Sequence, residues 1–87
     1  MATIVTKNIA IHHFDDAKEA YKSYELNDSL SDLLLSLKLA VEAKTYLDLY
    51  KQDHKLKLED LEEETDLIRF IRRVEEEILV CMENPID

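Results

Sequence analysis

The sequence predicts an all-α fold: a three-helix bundle, built from a helical hairpin and a shorter N-terminal helix, with an extended N-terminal arm. Three observations favour it. The 87 residues include no glycine and one proline, whereas the tight turns of β-sheet proteins depend on glycine to reach positive φ. Leu, Glu, Lys and Ala, which are good helix formers, dominate the second half. Apolar residues recur every three or four positions, which is the period of an α-helix.

The N-terminal segment is predicted to be extended over residues 1–13, because its stretch TIVTKNIAI is rich in β-branched side chains. Helix 1 is predicted over residues 14–26, lying across the hairpin that helices 2 and 3 form. Its apolar stripe consists of Phe14, Ala17, Tyr21 and Tyr24. We expect Asn27 to take the left-handed conformation that ends the helix, a role that usually falls to glycine.

Helix 2 is predicted over residues 29–52, where Ser29 and Asp32 resemble a capping box. Of the 21 residues from 30 to 50, 13 are apolar, although a helix that packs on one side needs only about three in seven. This surplus favours either self-association, most simply as a two-fold homodimer, or a groove that a partner fills. The residues predicted to form the oligomer interface are Leu34, Leu35, Leu39 and Tyr46.

Helix 3 is predicted over residues 58–83, after a polar break, KQDHKLK, in which Asp53 is the expected cap. Because this break lacks glycine and proline, a continuous rod of helices 2 and 3 is the alternative. The core-facing seam of helix 3 has spacings of four and three, as in helical bundles. Its residues are Leu67, Ile71, Val74, Ile78 and Cys81. The whole chain, 1–87, is predicted to be a single helical domain.

The net charge of −9 at pH 7 is unevenly distributed: residues 1–29 sum to −2, residues 30–58 to +1 and residues 59–87 to −8. Direct nucleic-acid binding and anionic membrane surfaces are therefore disfavoured, since both require a basic footprint. No apolar run approaches the ~20 residues that cross a bilayer, and no signal peptide is recognisable. Cys81 is the single cysteine, which suits a reducing cytoplasm, or the host-cell cytoplasm for a viral protein.

An acidic cluster opens helix 3. It is either a solvated face or a surface that binds a basic partner protein. Its residues are Glu59, Asp60, Glu62, Glu63, Glu64 and Asp66. Tyr46 and Tyr50 are predicted to add contacts to the partner, because tyrosine is enriched at interfaces, with the rim of the core as the alternative. Further along helix 3, Arg72 and Arg73 precede three glutamates at helical spacing, so local ion pairs are expected there.

Enzymatic chemistry has little support in the sequence. Glu62, Glu63 and Asp66 could pass for one acidic element of a helical, magnesium-dependent nucleotide hydrolase, but no second element with matching spacing accompanies them. The three histidines and the cysteine lack the spacing of a metal site. A ribbon-helix-helix DNA-binding arm would need more cations than the one lysine at position 7. We therefore predict no catalytic residue, no metal and no cofactor.

The function predicted from these features is a non-enzymatic protein–protein interaction module. The specific form is a small acidic inhibitor or adaptor that binds a basic surface of another protein, such as a surface that otherwise holds nucleic acid. Phage-encoded inhibitors, antitoxins and immunity proteins are classes of comparable size and charge. The alternative is a self-assembling structural subunit whose acidic face only confers solubility.

Overall fold

The computed structural model describes the backbone of residues 2–83 and the side chains of residues 7–83. This part of the chain forms three helices and no strand: α1 (Ala2–Asn27), α2 (Leu30–Asp53) and α3 (Leu58–Glu83). They run up, down and up in a rod with dimensions of 51 × 17 × 16 Å. The prediction of an all-α three-helix bundle is confirmed. None of these helices is both long enough and apolar enough to cross a membrane.

The prediction of an extended arm over residues 1–13 is wrong, because α1 already begins at Ala2. Met1 lies outside the described residues. The reason is tertiary packing, which outweighs the modest preference of β-branched residues for strands. Ala10 is 5% exposed and continues the buried stripe of Phe14 and Ala17 one turn further toward the N-terminus. Helix α1 is therefore not the shorter helix, and it spans the full length of the bundle.

Helices α1 and α2 form the closest pair in the bundle. They are antiparallel: Ser23 contacts Asp32 at one end, and the Lys7 ammonium lies 5.8 Å from the centre of the Tyr50 ring at the other. Small buried side chains on both helices permit the close approach. These residues are Ala10, Ala17 and Ala20 on α1, and Ser36, Ala40 and Ala43 on α2. Helix α1 thus lies along α2, and not across the hairpin as predicted.

A hydrogen bond fixes the middle of this contact. The hydroxyl of Ser36, which is fully buried, donates to the carbonyl oxygen of Ala17 at 2.8 Å. The bond satisfies a polar side chain that would otherwise be buried without a partner. It also requires the α2 side chain to touch the α1 backbone, which a larger residue at either position would prevent.

The turn between α1 and α2 contains only Asp28 and Ser29. Asp28 has a φ of 53°, so the left-handed residue stands one position after the predicted Asn27, which is still helical. The predicted capping box does not form: Ser29 makes no side-chain cap hydrogen bond, and the Asp32 carboxylate accepts a hydrogen bond from Ser23 at 2.8 Å. The Asp32 carboxylate thus links α1 to α2 next to the turn.

Helices α2 and α3 are separate and antiparallel, which excludes the continuous rod. Helix α2 ends at Asp53, and His54 has an extended backbone with φ −138°. Asp53 is therefore the last residue of α2 and not the cap of α3. Of the predicted seam, Leu67 and Val74 are buried at 2% and 0% exposure. Its other members, Ile71, Ile78 and Cys81, are half-buried.

The close α1–α2 contact generates a stability prediction. Ala40→Leu should lower the free energy of unfolding by about 1–3 kcal/mol, because the larger side chain must separate two closely packed helices. The neighbouring control, Val41→Leu, changes a residue that is 46% exposed and should alter stability by less than about 0.5 kcal/mol. Urea unfolding followed by circular dichroism measures both. Equal losses for the two variants would contradict the proposed packing.

Candidate partner-binding surface

The six carboxylates predicted as a partner-binding cluster do not share one environment. Asp60 faces inward and is 2% exposed, so its assignment to an exposed binding surface is wrong. The physical reason is its register: Asp60 lies seven residues before Leu67 and fourteen before Val74, the buried residues of α3. Residues seven apart lie on nearly the same side of a helix. Asp60 therefore shares the core-facing side of α3.

Two donors neutralise the buried Asp60 carboxylate. Its Oδ1 lies 2.5 Å from the Lys7 Nζ of α1, and its Oδ2 accepts a hydrogen bond from the Lys57 backbone N–H at 3.1 Å. The hydrogen bond from Lys7, together with that from Lys57, lowers the pKa of Asp60 from its ordinary value of 3.8, although burial opposes the shift. The same contact raises the pKa of Lys7. Asp60 thus anchors the start of α3 to α1.

Glu64 is also largely withdrawn from the surface. Its side chain is 16% exposed, and its Oε2 lies 2.6 Å from the Nζ of Lys51 on α2. The hydrogen bond from Lys51 to Glu64 raises the pKa of that lysine. This carboxylate therefore links α2 to α3, and its charge is largely neutralised within the chain.

The other four carboxylates are exposed and form what we call the acidic surface. They are Glu59, Glu62, Glu63 and Asp66. Their relative positions of 0, 3, 4 and 7 place them on one side of the first two turns of α3. Among the side chains of residues 7–83, none of the four forms an ion pair within 4 Å. The first three also stand near the helix N-terminus, where the dipole favours negative charge.

The two predicted contact tyrosines are partly used within the chain. Tyr46 packs against the core, and its ring lies 5.3 Å from that of His13. Tyr50 stacks on His54 with the ring centres 4.7 Å apart. Both tyrosines are half-buried, and as contacts to a partner they remain predictions.

The predicted oligomer interface on α2 is divided between surface and core. Leu34 and Leu35 are 49% and 45% exposed, whereas Leu39 and Tyr46 pack against the core cluster. Part of the apolar surplus of α2 therefore remains exposed to solvent. The large apolar residues of α2 that stay exposed are Leu30, Leu34, Leu35, Val41 and Leu49.

A groove between α1 and α3 was not foreseen from the sequence. Its wall contains Phe14 and Phe70, whose rings meet edge to face at 5.6 Å. Lys18 lies over the Phe14 ring at 4.1 Å from its centre. Arg69 and Arg73 complete the cationic side of the groove, and Asp66 also lines it. The groove therefore adjoins the acidic surface at Asp66, and its cations lie further along α3.

The arginines that line the groove are not neutralised by neighbouring glutamates. The ion pairs expected from Arg72 and Arg73 to residues 75–77 are not present within 4 Å in the described part of the chain. One of these glutamates is engaged elsewhere, since Glu77 accepts a hydrogen bond from the Tyr24 hydroxyl at 3.0 Å. That bond, with a further contact to Cys81, raises the pKa of Tyr24.

The described residues contain no group of three or more His, Cys, Asp or Glu side chains able to hold an ion. This applies to the acidic element of the alternative magnesium-dependent hydrolase. Glu62, Glu63 and Asp66 lie on the outer side of α3, and no carboxylate of another described helix joins them. Mg²⁺ sites in proteins require ligands that converge.

Comparison of the chain with protein-family models, with curated proteins and with solved structures yields no match. We therefore infer function from the chemistry of these surfaces.

The ion pair between Lys7 and Asp60 generates a prediction about stability and pH. Asp60→Asn should lower the free energy of unfolding by about 1–3 kcal/mol at neutral pH, because it removes a charge-assisted hydrogen bond to a lysine that is only partly exposed. The folded-state pKa of Asp60 is lowered. Its contribution is thus present above the ordinary pKa of 3.8 and is lost as the pH falls through the folded value.

The difference between wild type and Asp60→Asn should accordingly shrink in urea unfolding experiments below pH 3.8. Glu62→Gln is the matched control, since this exposed carboxylate has no ion pair among the described side chains. A double-mutant cycle with Lys7→Met isolates the pair. A coupling energy near zero at neutral pH would show that the contact contributes nothing to stability.

Proposed function

We propose that this chain is a non-enzymatic protein–protein interaction module that binds a basic surface of a partner protein through the acidic surface of α3. The proposal is supported chiefly by which carboxylates of the acidic cluster are paired with lysines and which are exposed. The fold neutralises Asp60 and Glu64 with lysines, but it leaves four neighbouring carboxylates exposed and without an ion pair to any side chain of residues 7–83. Such a cluster repels itself and gains from a cationic partner.

The mechanism is electrostatic steering followed by apolar contact. The acidic surface accelerates encounter with Lys and Arg side chains of the partner, an effect that weakens as salt increases. Apolar anchors then slow dissociation. Leu58 and Leu61, which are 72% and 46% exposed, adjoin Glu62 in a shallow groove and fit this role. They supplement the predicted anchors Tyr46 and Tyr50, whose rings also pack within the chain.

The partner class that fits best is a protein whose basic surface otherwise holds nucleic acid. A cluster of carboxylates on a rigid helix presents negative charges at intervals, as a phosphate backbone does. The role would be that of a small acidic inhibitor or adaptor, of the phage-encoded, antitoxin or immunity type. We place it in the cytoplasm, or in that of a host cell, because its single cysteine is a free thiol.

A second candidate is a self-assembling structural subunit, and the exposed apolar residues of α2 favour it. Leu30, Leu34 and Val41 share one side of that helix, where each is close to half exposed. Exposed apolar side chains that lie together gain free energy when a second copy covers them. In this alternative the acidic surface only keeps the assembly soluble.

The proposal generates a binding experiment. The tagged chain is incubated with a lysate of its source cells, and bound proteins are quantified by mass spectrometry at low and high salt. A triple variant, Glu59→Gln, Glu62→Gln and Glu63→Gln, should lose the salt-sensitive partner, because the attraction to its cations is removed. The control variant changes three exposed acids outside this surface, Glu19, Glu25 and Asp16, to their amides and should retain the partner.

The identity of the partner is part of this test. A stoichiometric partner with a basic, nucleic-acid-binding surface supports the inhibitor form, and competition by added duplex DNA or RNA should then release the chain. A partner that both variants retain equally at high salt would refute the role of the acidic surface. Recovery of the chain alone would favour the structural subunit.

A further inference from the structure

The outer side of α3 carries a second seam, in addition to the one that faces the core. Glu62, Asp66, Arg69 and Arg73 follow one another at spacings of four, three and four, which aligns them along one line of the helix. All four side chains are exposed. The order of their charges is two negative followed by two positive, so the seam has an acidic end and a basic end.

Helix α1 extends the basic end of this seam. Lys18 lines the groove together with Arg69 and Arg73. Among the described side chains it pairs only with Asp15, at 3.9 Å, and both side chains are more than half exposed. Lys22 follows one turn later on α1 and is exposed. An exposed pair of this kind contributes little to stability, so these cations remain available to a partner.

The opposite end of the same face is acidic. Glu63 lines a small cavity with α1 residues beside the first half of the seam, and Glu59 lies near enough to Lys7 of α1 to contribute to its raised pKa. Three exposed acids also lie at the basic end: Asp15, Glu25 and Glu76. The α1–α3 face therefore has four exposed carboxylates at one end, whereas at the other end four cations are mixed with three exposed acids.

We propose that a second copy of this chain binds this face, with the two α3 helices antiparallel about a two-fold axis. The axis passes between Asp66 and Arg69. This register places Glu62 opposite Arg73 of the partner subunit, and Asp66 opposite Arg69 of the partner subunit. By symmetry each contact occurs twice, because a two-fold interface uses the same surface on both subunits.

The order of charges selects this arrangement over the parallel one. A parallel two-fold pair would place each seam residue beside its own equivalent, so that carboxylate meets carboxylate and guanidinium meets guanidinium. Like charges placed together cost several kcal/mol at an interface. In the antiparallel register, the spacings of four and three also give the alternating layers by which antiparallel helices pack.

The α1 residues fit the same symmetry. A two-fold axis perpendicular to the helices keeps α1 of one copy on the same side as α1 of the other. Lys18, which lies beside Arg69 and Arg73, is then brought near Glu63 of the partner subunit. Lys22, one turn further along, is brought near Glu59 of the partner subunit. The two ends of the face are therefore complementary as a whole.

The dimensions of the molecule allow a dimer of this kind. A side of the rod measures 51 by 17 Å, on the order of the ~800 Å² that each partner contributes to a standard interface. Individual exposed ion pairs contribute only about 0.2–1 kcal/mol, so the charges chiefly set orientation and register. Burial of the partly exposed Phe70, in the groove beside the seam, supplies an apolar contribution.

The dimer bears directly on the proposed function, because it covers the acidic surface. A basic partner and a second copy would compete for the same carboxylates. The dimer itself does not depend on the partner, since it is defined by the chain alone. The two proposals therefore fail independently: self-association is measured with the purified chain, and partner binding is measured in a lysate.

Charge reversal tests the dimer with two variants that compensate each other. Arg73→Glu alone should weaken self-association at least about tenfold in sedimentation equilibrium, because two attractions become two repulsions. Glu62→Arg alone should do the same. An equimolar mixture of the two variants should associate as wild type does, since each now meets an opposite charge on the other. Arg72→Glu and Glu19→Arg are the controls, as exposed residues outside the seam.

The fold of every variant is checked by circular dichroism. Restoration of the dimer in the mixture, with both controls unaffected, confirms the antiparallel register. Three results would overturn it: a monomeric wild type at 100 micromolar, equal effects of Arg72→Glu and Arg73→Glu, or no rescue in the mixture. A dimer that Leu34→Glu abolishes while Arg73→Glu leaves it intact would assign the interface to α2 and would also overturn the proposal.

Discussion

The close contact between α1 and α2 is the constraint on which the rest of the structure depends. Alanines and the buried Ser36 bring the two helix backbones together, and the hydrogen bond from Ser36 to Ala17 fixes their relative position. Helix α3 packs against this pair and buries Leu67, which belongs to the core cluster shared with α1 and α2, and Val74. The burial of these two residues fixes which side of α3 remains exposed.

The orientation of α3 in turn separates its carboxylates. Asp60 shares the side of Leu67 and Val74, so it is buried and needs a cation, which Lys7 provides from α1. Glu64 lies beside α2 and finds Lys51. Carboxylates on the outer side find no such partner among the described residues. A uniform run of acids in the sequence thus becomes two structural contacts and one exposed surface.

Sequence periodicity was sufficient for α3, and the high apolar content of residues 30–50 was sufficient for α2. Periodicity was insufficient for the first half of α1. The β-branched residues there favour a strand locally, but the packing of Ala10 in the core stabilises a helix. The burial of Asp60 could have been predicted, since Asp60, Leu67 and Val74 are seven residues apart. The pairing of Asp60 with Lys7 could not have been predicted, because the sequence indicated an extended arm at residue 7 and not a helix.

The distribution of charge over the surface affects association more than the net charge does. A net charge of −9 indicates a molecule that repels its own copies, and by itself it predicts only solubility. The α1–α3 face departs from that average, because its basic end holds Arg69 and Arg73, which pair with no carboxylate of the described part of the chain, beside two lysines. Charges that lie within about a Debye length of each other at a contact govern association. More distant charges contribute less, because salt screens them. An acidic protein can therefore carry a face that attracts its own copy, and the same face can present carboxylates to a basic protein when the copies are apart.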